Sequence, residues 1–270
     1  MFTQLQEAVA YIQQNTEIKP VCGLVLGSGL GNIIDEMEIS EALSYSEIPH
    51  FPVSTVKGHS GKLLFGEWHG LPMVVMQGRF HYYEGYTLEQ VTFPIRVIKL
   101  LGADILLLTN ASGGLNPEIK TGELMVVTDH INLNSNNPLR GINIDELGPR
   151  FPDQHAVYDK VLQDKAIEIA VSNKIICHAG IYVGVTGPTF ESPAEYRYMR
   201  IIGGDAVGMS TVPEAIVANH ANMRVFCLSV ICDEGNPAMP TSVTHDEVIT
   251  IAKRAEGKMA VILKNLIQSI

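Results

Sequence analysis

The feature that most constrains the fold is an alternation of apolar, β-branched runs with segments of helical periodicity. Each run is apolar at consecutive positions, which is typical of central strands that helices cover on both faces. The helical segments repeat apolar residues every three or four positions, as at Leu5, Ala8, Val9 and Ile12. This alternation predicts an α/β fold, one domain over residues 1–270 with a mostly parallel or mixed sheet flanked by α-helices. Strands are predicted over residues 21–26, 73–76, 105–108, 124–127, 181–185 and 225–230.

Sequence signals also mark helix starts and one long loop. Ser192 and Thr244 each precede a glutamate by three residues, the pattern of a capping box, and Thr211 shows a weaker form of it. Residues 132–152 are rich in Asn, Pro, Gly and Asp. Such a composition predicts a long surface loop, and loops of that length within a compact domain are often functional.

Composition limits the partners and the compartment. The 270 residues carry a formal charge of -10, which argues against nucleic acid as the main partner. An anionic substrate must therefore be held by local positive groups. The four cysteines form no CxxC pair, and the first residues lack a secretory signal pattern. With no apolar run long enough to span a membrane, we expect a cytoplasmic protein with buried thiols.

Two glycine-rich turns are candidate anion sites. Residues 27–31 read Gly-Ser-Gly-Leu-Gly directly after a predicted strand, where backbone amides can approach an anion and Ser28 adds a hydroxyl. The spacing matches neither a dinucleotide-binding fingerprint nor a Walker A motif, so a purely structural turn stays open. His59 lies between two glycines in residues 57–61, where a structural histidine is the alternative to a ligand-binding one.

Residues 77–85 hold the most informative motif. Arg79, His81 and Tyr83 alternate after a predicted strand, and an extended chain would place all three on one face. Arginine can bind phosphate through two parallel hydrogen bonds. The alternative is a surface ion pair between Arg79 and Glu84. Residues 110–117 form another small-residue turn after a strand, and ligands of open α/β sheets bind where such strand ends converge.

Further candidates lie next to helix starts. Glu191 follows Phe190 just before the capped helix at Ser192, so it either binds a ligand, with Phe190 as a stacking face, or only complements the helix dipole. Ser210 precedes another helix, and His245 opens the last one, where it either serves the site or only accompanies the cap. The absence of HExxH and GxSxG motifs argues against a metal site and a serine hydrolase.

Taken together, these segments resemble the trimeric purine nucleoside phosphorylases, family 2 of the nucleoside phosphorylase superfamily. The resemblance implies phosphate-dependent cleavage of purine ribo- or deoxyribonucleosides to the free base and the sugar 1-phosphate. It also implies a homotrimer that needs no metal or organic cofactor, with inorganic phosphate as co-substrate. The matching stretches, in family order over nearly the whole chain, are residues 26–31, 58–61, 77–85, 110–117, 129–132, 187–191, 207–214 and 245–248.

The resemblance also implies roles for individual residues. The expected phosphate ligands are Ser28, His59, Arg79, His81, Ser210 and the backbone of Ala111. The expected ribose contacts are Tyr83, Met209, His245 and, from a neighbouring subunit, Phe151. The expected base contacts are Phe190, Glu191, Val207 and Asp233. The side chains expected to act directly in catalysis are His81, Glu191 and Asp233.

One residue departs from the family pattern. The 6-oxopurine enzymes have an asparagine where this chain has Asp233. Asparagine can donate a hydrogen bond to the purine, whereas an ionised aspartate only accepts. Glu191 nevertheless retains the carboxylate that 6-oxopurine enzymes use. We therefore expect inosine or guanosine activity with added activity on adenosine, and Asp233→Asn should shift preference towards inosine.

Three other functions remain as alternatives. A phosphorylase of 5′-substituted adenosines, such as methylthioadenosine, is disfavoured because His245 suits a 5′-hydroxyl better than a thioether. A non-catalytic nucleoside-binding protein would not need a phosphate pocket. A nicotinamide-dependent oxidoreductase would need the acidic residue of a dinucleotide-binding unit, which has no match here.

Overall fold

The computed structural model describes residues 1–53, 60–235 and 243–270. Within them the predicted α/β fold is confirmed: nine strands form one mixed sheet, and helices cover both faces. The strands are β1 Cys22–Val25, β2 Glu38–Ser44, β3 Lys62–Trp68, β4 Leu71–Gln77, β5 Ile105–Gly114, β6 Leu124–Asn132, β7 Cys177–Gly184, β8 Ala206–Gly208 and β9 Arg224–Glu234. The helices are α1 Phe2–Asn15, α2 Leu88–Leu100, α3 Lys160–Ser172, α4 Pro193–Ile201, α5 Val212–His220 and α6 His245–Ile267.

The sheet has the order β2-β3-β4-β1-β5-β8-β7-β6-β9, and its last strand returns to the middle. Strand β9 pairs in parallel with β5 along its whole length, which closes β5, β8, β7, β6 and β9 into a ring. Strand β1 runs parallel to both β4 and β5, whereas β3 is antiparallel to β4. The carboxyl ends of β1, β4 and β5 therefore meet at one edge.

The alternation of side chains along β5 divides the core into two clusters. Leu106 and Leu108 face one side, where α1, α2 and α5 contribute their apolar residues. Leu107 faces the other side with Met259 of α6 and Ala166 of α3. Both clusters are fully apolar at their centres, which is why β1 and β5 read as continuous apolar runs in the sequence.

Several elements were not predicted from the sequence. Strand β2 is a largely exposed edge strand with two glutamates among its seven residues, and β8 has only three residues. Helix α3 has a clear N-cap, since the Asp159 carboxylate accepts the Leu162 N–H at 2.9 Å. Residues 132–152 form the predicted long loop, apart from a short 3₁₀ turn at Asp145–Leu147.

The predicted helix caps at Ser192 and Thr244 are present, each reciprocal with the glutamate three residues later. The four cysteines are free thiols, and three of them are buried. No helix within residues 1–53, 60–235 and 243–270 combines the length and hydrophobicity that a membrane span requires.

Candidate active site

An open cavity of about 700 Å³ lies where the carboxyl ends of β1, β4, β5, β8 and β9 converge on the start of α6. The structure brings together here almost every candidate residue of the sequence analysis, although these residues come from widely separated segments. The predicted residues that line it are Ser28, Arg79, His81, Tyr83, Ala111, Phe190, Glu191, Val207, Met209, Ser210, Asp233 and His245.

Arg79 dominates the polar end of the cavity. Its side chain is buried, and its Nη1 donates to Ser210 Oγ at 3.0 Å. Its Nε lies 3.0 Å from Glu214 Oε1, so a buried ion pair holds the guanidinium. The interpretation of Arg79 as a surface partner of Glu84 is therefore wrong. A buried guanidinium beside hydroxyl groups is well suited to bind an anion.

The turn that carries Ser210 is held in an uncommon backbone conformation. Thr211 has a φ of 71°, although it is not a glycine, and its N–H donates to the Glu214 carboxylate. Asn110 Nδ2 donates to Thr211 Oγ1 at 2.9 Å, and Ser229 Oγ donates to Asn110 Oδ1 at 2.5 Å. This buried polar network fixes the turn from the side of β5 and β9, so that Ser210 stays at the mouth of the Arg79 site.

The Gly-Ser-Gly turn after β1 packs tightly on both sides. A Cβ at Gly27 would lie 2.9 Å from the Thr109 carbonyl oxygen, and Gly29 has a φ of 75° against the backbone of Ile249 in α6. Just beyond the turn, the Glu256 carboxylate of α6 accepts from Asn32 N at 2.5 Å and from Asn32 Nδ2 at 3.0 Å. Helix α6 therefore supports the turn that places Ser28 in the cavity.

Arg79, His81 and Tyr83 all line the cavity, as the alternation predicted, but the segment is not extended throughout. The chain turns into a 3₁₀ helix at Tyr82–Glu84, and the His81 ring stacks on the Tyr83 ring with centroids 4.7 Å apart. The Glu84 carboxylate accepts from the His81 backbone N–H at 2.8 Å and lies 3.2 Å from His81 Nδ1. Burial lowers the pKa of His81, which favours its neutral form.

Tyr83, Met209 and His245 also line the cavity. Gly187 packs against Met209 and Tyr83 and has a φ of 63°. A Cβ there would lie 2.3 Å from Met209 Sδ and 3.2 Å from Tyr83 Cδ1. A glycine therefore fits this position for both its conformation and its space.

Two carboxyl groups mark the other end. Glu191 and Asp233 both line the cavity, next to Phe190, which is 43% exposed, and the buried Val207. Burial raises the pKa of Glu191 to about 7, and the negative charge of Asp233 adds to this shift. Burial also raises the pKa of Asp233 to about 6. This end can therefore both donate and accept hydrogen bonds near neutral pH.

Sequence reasoning missed two contributors. Glu214 was assigned only to a helix cap, yet it also pairs with Arg79. Tyr196 was not identified at all, and its hydroxyl lies 3.4 Å from Asp233 Oδ1. The capping pattern was a signal for Glu214, whereas Tyr196 carried none because only the packing of α4 reveals which face of that helix approaches β9.

Two predicted residues are not placed in the cavity. His59 lies outside the described residues. Phe151 lies in the long loop, 86% exposed, beside a separate surface depression that includes His130 and Ile216. Among the residues that the structure describes, no cluster of three or more His, Cys, Asp or Glu side chains could hold a metal ion.

The family of this chain follows from comparison with known proteins. Its residues 22–268 match the Phosphorylase superfamily. The chain belongs to that superfamily. It is 48% identical to purine nucleoside phosphorylase 1 of Bacillus subtilis (strain 168), over 99% of this chain and 98% of that protein. It is 42% identical to purine nucleoside phosphorylase of Bos taurus, and the match covers 100% of this chain and 96% of that protein.

The fold of this chain also matches that of a solved structure. Isoform 2 of purine nucleoside phosphorylase from Schistosoma mansoni, in complex with cytosine and ribose-1-phosphate, superposes with a TM-score of 0.95. It shares 40% sequence identity, and the match covers 100% of this chain and 97% of that one. The fold of this chain therefore matches that solved structure over its whole length.

Proposed function

We propose that this chain is a purine nucleoside phosphorylase, which cleaves purine nucleosides with inorganic phosphate to give the free base and ribose 1-phosphate. The observation that carries the proposal is a single cavity with a buried guanidinium at one end and two carboxyl groups at the other. The first end suits phosphate, and the second suits the polar edge of a purine. Close relatives over the full chain length support the same activity.

The proposed roles follow the position of each side chain. At the polar end, we assign phosphate to Arg79, His81 and a set of small groups: Ser28, Ser210 and the backbone of Ala111. Ribose lies by Tyr83, Met209 and His245, in the middle of the cavity. The purine lies by Phe190, Glu191, Val207 and Asp233.

The chemistry requires positioning and charge stabilisation. A phosphate oxygen forms a bond to C1′ while the bond from C1′ to purine N9 breaks, and the bonding electron pair leaves with the base. The purine gains one proton, and the proton of the attacking hydrogen phosphate balances it. Arg79 and the hydroxyls hold the dianion at C1′, whereas Glu191 and Asp233 act on the leaving base. We expect no metal or organic cofactor to be needed.

Base release with and without phosphate tests this proposal. Inosine, guanosine, adenosine and methylthioadenosine are incubated with the protein, and free base is followed chromatographically. We expect release only with phosphate, with little from methylthioadenosine because His245 favours a 5′-hydroxyl. Release without phosphate would identify a hydrolase, and binding without release would identify a nucleoside-binding protein.

We also propose that the chain assembles as a trimer in which Phe151 completes a neighbouring site. In support, this ring is 86% exposed and lies outside its own cavity, on the long loop. Light scattering tests the assembly. Co-expression of Phe151→Ala and Arg79→Gln chains tests the sharing, because mixed trimers recover activity only if the two residues of one site come from different subunits.

A further inference from the structure

The carboxyl end of the cavity contains an arrangement that the phosphorylase activity alone does not require. The Tyr196 hydroxyl donates to Asp233 Oδ1 at 3.4 Å, and the same hydroxyl is close enough to Glu191 to lower the pKa of that carboxyl group. Its ring packs against Gly235, where a Cβ would lie 2.2 Å from Tyr196 Cε1. A side chain at position 235 would displace the ring, so the glycine there lets Tyr196 reach Asp233.

The surroundings disfavour two negative charges here. Asp233 is faced by Tyr196 from α4 and by the backbone N–H of Gly114 from β5, with Cys232 beside it on β9. Glu191 is faced by Asp233, Tyr196 and the charged Glu195. His245 of α6 lines the same cavity, and Arg79 lies at its other end. Burial raises the pKa of both carboxyls, and the negative charge of Asp233 raises that of Glu191 further, which favours a proton on the pair over two negative charges.

We propose that Glu191 and Asp233 share one proton through Tyr196; this inference rests on the proposed function. Transfer of the proton from one carboxyl group to the other lets the same pocket accept both 6-oxopurine and 6-aminopurine nucleosides. The two arrangements have the same net charge and differ only in which carboxyl group holds the proton. Both bases therefore need the same number of protons on the pair, on different carboxyl groups.

Each base matches one arrangement. A 6-oxopurine presents an N1–H donor and an O6 acceptor, which fit an ionised Glu191 and a protonated Asp233. A 6-aminopurine presents an N1 acceptor and an amino donor, which fit a protonated Glu191 and an ionised Asp233. A doubly ionised pair offers only acceptors and therefore repels O6 of the first base and N1 of the second.

Two matched substitutions separate the carboxyls. Asp233→Asn supplies a permanent donor at the six-position, so at pH 8 the ratio of kcat/KM for inosine to that for adenosine should rise at least tenfold. Glu191→Gln supplies a permanent donor at N1, so the same ratio should fall at least tenfold. The ionisation of phosphate affects both nucleosides equally and cancels in the ratio.

Tyr196→Phe tests the hydroxyl as a positioning group. The hydroxyl lowers the pKa of both carboxyl groups, but its 3.4 Å hydrogen bond is to Asp233, so its loss should favour the proton on Asp233 and shift the ratio towards inosine. The exposed Tyr198→Phe on the same helix is the control, with no expected change. A ratio that stays unchanged in all three cavity variants would overturn the shared proton.

A measurement on the unmodified protein is independent of how the variants fold. Binding enthalpies of hypoxanthine and adenine, measured calorimetrically at pH 8 in buffers of different ionisation enthalpy, report proton uptake. We expect each base to take up about one proton. Uptake with only one base, or with neither, would contradict the proposal. If no nucleoside is cleaved with phosphate, the proposed function itself fails, whereas phosphorolysis with unaltered ratios rejects only the shared proton.

Discussion

Arg79 and Glu214 form a buried ion pair, with 3.0 Å between Arg79 Nε and Glu214 Oε1. The same glutamate accepts the backbone N–H of Thr211, next to the Ser210 hydroxyl that Arg79 contacts. One carboxylate thus orients both the guanidinium and the turn that faces it. The anion end of the cavity is built before any ligand arrives, which reduces the entropic cost of binding.

Replacing Arg79 with lysine should therefore weaken phosphate binding although the charge is kept. A lysine ammonium cannot pair with Glu214 and present a planar fork to phosphate at the same time. We expect the KM for phosphate to rise at least tenfold, about 1.4 kcal/mol, in initial-rate measurements at saturating inosine. The exposed Arg254→Lys should leave it unchanged. An unaltered phosphate KM in Arg79→Lys would place the anion elsewhere.

The support of the Ser28 turn by helix α6 is testable at Glu256. Glu256→Ala leaves the two Asn32 donors without their acceptor, which should lower the free energy of unfolding by about 1–3 kcal/mol. Because Ser28 belongs to the phosphate end, the phosphate KM should also rise, whereas the inosine KM should not. Lys253→Ala, at an exposed position of the same helix, is the control. Equal increases in both KM values would speak against a specific role for the turn.

Gly187, which packs against the proposed ribose contacts Met209 and Tyr83, gives a third prediction. Gly187→Ala introduces a Cβ against Met209 and Tyr83 at a positive φ. We expect a higher KM for inosine with an unchanged KM for phosphate. Gly70→Ala is the matched control, because Gly70 has a φ of 79° but no neighbour within 4 Å of the added Cβ. If both variants behave alike in steady-state kinetics, backbone strain alone explains the effect.

The carboxyl pair also links stability to pH. Its pKa values rise from 4.5 to about 7 for Glu191 and from 3.8 to about 6 for Asp233 on folding, so protonation favours the folded state. This contribution is complete below the unfolded values and is lost as pH rises through 6 and 7. Relative to a Glu191→Gln/Asp233→Asn variant, the wild-type Tm should be several degrees higher at pH 5 than at pH 8. If thermal melts show the same Tm difference between wild type and variant at pH 5 and at pH 8, the raised pKa values are contradicted.

The sequence predicted the elements that are buried on both sides. Strands β1 and β5 read as apolar runs because helices cover both of their faces, whereas the edge strand β2 is largely exposed and carries no such run. Helix α3 begins with a capping aspartate, Asp159, although no helix was predicted there. Short β8 is defined by its pairing with β5 and β7, which no local pattern encodes.

Among the site residues, too, some could be identified from the local sequence and others depend on tertiary packing. Arg79 was a candidate because it follows a predicted strand and Ser210 because it precedes a helix, and the family resemblance assigned both residues to phosphate. Tyr196 and the double role of Glu214 depend on which face of a helix meets a strand, and that is decided by tertiary packing. The curled path of residues 79–83 likewise depends on the Glu84 carboxylate binding the His81 N–H rather than on alternation in the sequence.

The identity of the sugar product tests the central claim most directly. Phosphorus NMR of a reaction with inosine and inorganic phosphate distinguishes the two possible outcomes. We predict one ribose 1-phosphate for each hypoxanthine released, with phosphate consumed in equal amount. Hypoxanthine release accompanied by free ribose, with the phosphate signal unchanged, would contradict phosphorolysis and the assignment of the Arg79 end to phosphate.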